Sequence, residues 1–131
     1  MITRETDYAI RAILGLSQSH GGGGVVPASA LAESMGIPYR FLRTLSRKLV
    51  TAQLVVSKRG NGGGLALARA PHAISLLDVM RAVAPASMIL NRCLQTPEAC
   101  SRSGHCPVHH HLGRLQGKLE TMLDELHFDQ F

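Results

Sequence analysis

Residues 55–69 read VVSKRGNGGGLALAR, and the way this stretch folds decides what surrounds it. A glycine run can wrap phosphate, act as a spacer or turn a hairpin. A dinucleotide-binding loop needs a strand before its glycines and a helix directly behind them. Val55-Val56 suits the strand, but Leu65-Ala66-Leu67-Ala68 alternates instead of winding, and Pro71 stops the segment within a helical turn. A spacer would lack the apolar runs on both flanks. A hairpin fits best, its turn containing Gly60, Asn61 and Gly62, residue types that tolerate positive φ. Its tip carries Lys58 and Arg59.

The charge around that tip has one sign. No acidic residue occurs between Glu33 and Asp78, while Arg40, Arg43, Arg47, Lys48, Lys58, Arg59 and Arg69 all fall in that window. Such a field attracts polyanions, whereas an ordinary solvated surface mixes both signs. At 131 residues the chain is long enough for one domain with an added element, and 45% apolar against 4% aromatic residues suggests an aliphatic, mostly helical interior. Arg4, Glu5, Asp7 and Arg11 interrupt the N-terminal segment, so it does not read as a signal peptide. No stretch approaches a membrane span. A cytoplasmic location is expected, where lasting disulfides are rare, and three cysteines cannot all pair within one chain.

Upstream of the hairpin, apolar spacing and caps predict three helices. The first covers residues 3–18, with Thr3 as N-cap and Tyr8, Ala9, Ala12, Ile13 and Leu16 on one face. The run from His20 to Gly24 reads as a flexible loop. Pro27 opens a second helix, Ala28 to Met35, which stops at Gly36. The third runs from about Pro38 to Ala52. Ile37, Phe41, Leu42, Leu45, Leu49 and Ala52 gather on one side, and Arg40, Arg43 and Arg47 on the other. A solvated amphipathic helix would look similar. The order of elements favours more: two helices joined by a tight glycine turn, then a hairpin with a cationic tip, make a winged helix-turn-helix. The second helix of such a pair enters the major groove, where an arginine fork bonds guanine O6 and N7 or pairs with phosphate. The wing then reaches the adjacent backbone or minor groove. Tyr39, Arg40, Arg43, Arg47, Lys58 and Arg59 are the candidate DNA contacts.

A fourth helix is expected over Ser75 to Ala84. Beyond Pro85 the stretch CLQTPEACSRSGHCPVHHH, residues 93–111, places Cys93, Cys100 and Cys106 within fourteen residues, and His109 stands three after Cys106. Gathered thiolates suit zinc or an iron–sulfur cluster. Structural zinc takes pairs two to four residues apart, while the gaps here are six and five. Longer gaps suit a larger object, and His109 is well placed for the remaining coordination position. A redox-active thiol pair, inert cysteines, and a Cys106/His109 nucleophile are the alternatives; the last lacks an orienting third group. From Val108 the apolar residues Val108, Leu112, Leu115, Leu119, Met122 and Leu126 step by 4, 3, 4, 3 and 4, the seam of a coiled coil. Gly113 and Gly117 would allow close helix contact. Packing onto its own domain is the alternative, but so regular a seam favours a homodimer, which suits a reader of two half-sites.

These segments together resemble the IscR/NsrR-type winged-helix transcription regulators of bacteria. The resemblance covers nearly the whole chain. It rests on TDYAIRAI, on LAESMGIPYRFLRTLSRKLVTAQLV, on SKRGNGGGLALARAPHAISLLDVMRAV, and on the three-cysteine segment before the last helix. The glycine-rich wing followed by I-x-L-x-D-V-x-x-A-V is its most specific portion. It implies a dimer on palindromic promoter DNA, with Cys93, Cys100 and Cys106 as ligands of an iron–sulfur cluster. A two-iron two-sulfur cluster is expected first, a four-iron four-sulfur cluster second. The fourth ligand is open. His109 matches the histidine of the iron–sulfur-biogenesis regulators, and Asp7 matches the aspartate that nitric-oxide-sensing repressors supply from the partner subunit. An ion pair with Arg11 at i+4 is the plainer role for Asp7. The first cysteine gap is one residue longer than in the biogenesis regulators. Arg43 stands where they carry a site-selecting glutamate, so their operator cannot be copied.

The expectation is therefore a mainly α fold with a small β-hairpin. Residues 1–85 form a winged helix-turn-helix, and 86–131 a cysteine loop and dimerisation helix. The function is regulatory and not enzymatic. The rival functions are a cluster-free or zinc-binding regulator of the same fold, and a thiol-based redox protein using Cys106.

Overall fold

The computed structural model describes residues 2–22 and 24–131. Helix α1 spans Arg4–Ser19, and Thr3 caps it by accepting the Thr6 N–H on its hydroxyl at 3.1 Å. Thr6, Ala9, Ala12, Ile13 and Leu16 make its buried face. Of the glycine run expected as a loop, His20–Gly22 wind into a short 3-10 turn and Gly23 lies outside the described residues. Helix α2 covers Ala28–Met35 and ends at Gly36, whose φ of 62° is the left-handed conformation that closes a helix C-terminus. Helix α3 covers Tyr39–Thr51 and buries Leu42, Leu45 and Leu49. Phe41, expected on that apolar side, is instead 46% exposed and packs its ring 5.6 Å from that of Tyr8. At about 100° per residue it lies at the edge of the Leu42–Leu45–Leu49 stripe, and α1 covers only part of it.

The hairpin is present. Strand β1 (Val55–Lys58) pairs antiparallel with β2 (Gly64–Leu67), in a register running from Val55 opposite Leu67 to Lys58 opposite Gly64. Gly60 and Gly62 carry the positive φ values of the turn, 89° and 73°. Val26 adds a third rung, exchanging two 2.8 Å hydrogen bonds with Leu65. That close approach needs Gly64, because a Cβ there would collide with the Val26 carbonyl. The turn from α3 into β1 uses no glycine. Gln53 adopts φ 60°, and the Gln53 and Leu54 N–H groups bond back to the Val50 and Leu49 carbonyls. This is a Schellman ending with glutamine at the left-handed position.

Helix α4 (Leu76–Val83) begins with a capping box between Ser75 and Asp78. After a 3-10 turn at Pro85–Met88 come the short α5 (Arg92–Gln95), a second 3-10 turn at Pro97–Ala99, and α6 (Pro107–Asp124). Helices α1 to α4 and the hairpin enclose one main core, and Leu77, Met80 and Met88 form a smaller cluster with Leu123 of α6. Leu126, counted into the seam by its spacing, lies beyond the end of α6. There the chain folds back: Leu126 O accepts from Leu76 N at 2.8 Å and Phe128 N donates to Ile74 O at 3.1 Å. Phe128 is fully buried in the main core, and Ser17 Oγ donates to its carbonyl. No helix among the described residues is long and apolar enough to cross a membrane.

Candidate functional site

Two sites emerge, one cationic and one sulfur-lined. The left-handed turn at Gly36 and Pro38 ahead of α3 present the first residue, Tyr39, half-exposed at 50%. Burial of Leu42, Leu45 and Leu49 forces Arg40, Arg43 and Arg47 outward, where they line a shallow cleft with Tyr39 and Thr44. Among the described residues none of these three guanidinium groups pairs with a carboxylate. Elsewhere Arg11 pairs with Asp7 at 2.8 Å, Arg81 with Glu120 at 3.0 Å, Arg69 with Asp78 at 4.0 Å, and Lys48 with Glu5. So the basic window divides. Lys48 and Arg69 are neutralised inside the protomer, while Arg40, Arg43 and Arg47 stay free for an outside anion. Lys58 ends β1 and Arg59 opens the turn, both exposed. This arrangement offers a helix with unpaired arginine forks beside a cationic hairpin, the shape and charge that a DNA groove and its phosphates accept.

The second site is built by the segment between α4 and α6. Cys93 lies in α5, Cys100 follows the second 3-10 turn, and Cys106 is the residue before α6. Pro107 at the first helical position starts α6 directly after the thiol. All three cysteines are free and half-buried. They line one pocket of about 190 Å³, and His109 lines it too. The Nδ1 of His109 is buried and has no hydrogen-bond partner. An orphaned buried imidazole nitrogen is costly unless something binds it. Three thiols and this nitrogen are the soft and borderline donors that an iron–sulfur cluster uses, so the donor chemistry fits. No three His, Cys, Asp or Glu side chains among the described residues stand close enough to share a single ion. Asp7 does not line the pocket; it sits on α1 in its ion pair with Arg11.

Helix α6 connects the pocket to a free surface. Leu112, Leu119 and Leu123 are half-buried toward their own domain, whereas Val108, Leu115 and Met122, seven apart, are 60%, 53% and 65% exposed. The heptad seam is thus split: one half packs on the protomer and the other faces outward. Sequence spacing missed Gln116, the buried polar residue of this helix. Its side chain accepts from Leu90 N at 2.9 Å and donates to Met88 O at 3.1 Å and to Glu120. It fastens the start of the cysteine segment to α6. A polar residue next to an apolar seam was the only available signal, and such a residue is usually solvated.

Comparison with known proteins follows the same outline. The family described as "Rrf2: Iron-dependent Transcriptional regulator" matches residues 2–131. The chain is similar to the HTH-type transcriptional regulator IscR of Sodalis glossinidius, 35% identical over 82% of this chain and 64% of that protein. It is 32% identical to IscR of Aliivibrio salmonicida over 94% of this chain and 71% of that one. A putative HTH-type transcriptional regulator of Mycobacterium tuberculosis matches 63% of this chain at 39% identity. The chain spans between half and two thirds of the length of the first and third of these curated relatives. Among solved structures, T. potens IscR superposes with a TM-score of 0.71 at 25% identity, over 98% of this chain and 83% of that one. CymR, the global cysteine regulator of B. subtilis, shares the fold with a TM-score of 0.76 at 22% identity, over 98% and 93% of the two chains.

Proposed function

Because the chain belongs to the Rrf2 family of iron-dependent transcriptional regulators, we propose that it binds promoter DNA as a homodimer and that an iron–sulfur cluster in the cysteine pocket sets its affinity. Residues 1–85 read the DNA, and residues 86–131 hold the cluster and the partner. In the cytoplasm Tyr39, Arg40, Arg43 and Arg47 enter the major groove, and Lys58 and Arg59 lie along the neighbouring backbone. Cys93, Cys100, Cys106 and His109 hold the cluster, a two-iron two-sulfur centre by preference. When bound, it supplies a centre whose presence or oxidation level responds to iron supply, oxidants or nitric oxide.

One observation carries this reading: three free thiols and His109, whose buried Nδ1 has no hydrogen-bond partner, line one pocket at the root of α6. Ordering that pocket fixes the first turn of α6, since Cys106 precedes it and His109 belongs to it. The outward row Val108, Leu115 and Met122 meets its copy on the partner. A change at the root of α6 then alters how the two recognition helices are spaced. Ligand binding shifts such an equilibrium only by its differential affinity for the two arrangements.

Anaerobic purification with visible spectroscopy, iron and sulfide analysis, and native mass spectrometry tests the proposal. The expected result is a coloured dimer containing iron and sulfide, with a different promoter affinity from the stripped protein. Colourless protein with stoichiometric zinc would point to the zinc account, and a stable disulfide without bound iron to thiol chemistry. Equal affinity of loaded and stripped protein would remove the cluster from the regulation.

A further inference from the structure

Lys48 lies in the basic window, on the same helix as the arginine face, yet its ammonium is held by acceptors within the protomer. Nζ donates to Glu5 Oε1 of α1 and to the Val83 carbonyl of α4, the latter at 3.1 Å. One side chain thus ties α3 to two other helices, using two of the ammonium's three N–H donors. Helix α4 is held at its opposite end by the end of α6. Ser75, its N-cap, donates its hydroxyl to Asp124 Oδ1 at 3.0 Å, and Leu76 N donates to Leu126 O at 2.8 Å. Helix α4 therefore stands between the helix that begins at the cysteine pocket and the helix that carries the arginines. Its N-cap is bonded to Asp124 at the end of α6, Arg81 of its last turn pairs with Glu120 of α6, and its last residue accepts from Lys48 of α3.

We propose that α4 is a strut between α6 and α3, and that Lys48 is the positioning residue through which the placement of α6 reaches the recognition helix. Lys48 itself contacts no phosphate. This rests on the DNA-binding reading above. Base readout depends on register, while phosphate attraction depends mainly on charge. Loosening Lys48 accordingly harms specific binding and spares non-specific binding.

The experiment is fluorescence anisotropy on the full chain with an operator obtained by in vitro selection and a scrambled duplex, each over a series of salt concentrations. Lys48→Met is expected to weaken operator binding at least tenfold and to change scrambled-duplex binding less than twofold. The salt slope stays that of the wild type, and Lys48→Arg restores most of the affinity. A slope shallower by about 0.9, with equal loss on both duplexes, would make Lys48 a phosphate ligand and overturn the assignment; unchanged operator binding would overturn it as well. Should circular dichroism show Lys48→Met unfolded, Glu5→Gln keeps the lysine charge and is read by the same criteria. The strut is tested by pairing Ser75→Ala with Glu5→Gln. Fold-losses that simply multiply, within about twofold, would refute coupling along α4. Wild-type protein that binds neither duplex in a salt-dependent way would instead refute the DNA reading.

Discussion

Arg11 holds the carboxylate of Asp7 at 2.8 Å, one helical turn away on α1, and its guanidinium also lies over the Tyr8 ring and reaches toward the Gly36 carbonyl at 3.5 Å. Asp7 therefore has a partner within its own protomer, whereas His109 Nδ1 has none. The two candidates for the fourth ligand separate on this point. His109→Ala should reduce metal retention by at least the ~10-fold that loss of a mere outer-shell partner costs. Asp7→Ala should leave it near wild type. Iron and sulfide analysis after anaerobic gel filtration checks both, and the reverse order would assign the position to Asp7 of the partner subunit.

The unpaired guanidinium groups divide into reading and positioning roles. Arg59→Ala removes a cation at the wing tip and should lower the slope of log affinity against log salt by about 0.9. Arg43→Ala should cost about 1–3 kcal/mol on the selected operator and relax preference at one base pair. Repeating the sequence selection with each variant distinguishes them. An unchanged consensus for Arg43→Ala would reduce that residue to a backbone contact.

Leu115 is 53% exposed in the middle of α6. Leu115→Glu leaves the protomer's core intact but sets two carboxylates facing each other across a symmetric pair. Sedimentation velocity should show monomer, with circular dichroism unchanged. A dimer that survives the substitution would move the interface off this row.

The wing depends on two unusual backbone positions. Gly64→Ala drives a methyl into the Val26 carbonyl and should break the Val26–Leu65 rung. The hairpin signals in the NMR spectrum would shift while those of α1 persist. Gln53→Gly relieves a left-handed non-glycine residue, and should raise stability by up to about 1 kcal/mol in urea titration.

Phe128 fills the main core from the far end of the chain. Phe128→Ala leaves an apolar cavity and should cost about 3–5 kcal/mol. Chemical denaturation measures it, and a loss below about 1 kcal/mol would mean that the tail contributes little to the fold.

The local elements were legible because each depends on neighbours in sequence. Thr3, Gly36 and Ser75 mark helix ends by their own backbone chemistry, and the glycine turn between alternating apolar residues marks the wing. The opposition of Leu42, Leu45 and Leu49 to Arg40, Arg43 and Arg47 follows from helical periodicity alone. Cysteines within fourteen residues also announced a shared environment, and they do line one pocket.

What only the tertiary structure decided is how distant segments use those elements. Whether Lys48 faces DNA or Glu5 depends on α1, 43 residues away in sequence. The division of the α6 seam depends on how α4 and α5 lie against it, and the burial of Phe128 on a reversal after Asp124 that no glycine or proline marks. Periodicity tells which side chains share a face; it carries no information about which face a remote part of the chain will cover.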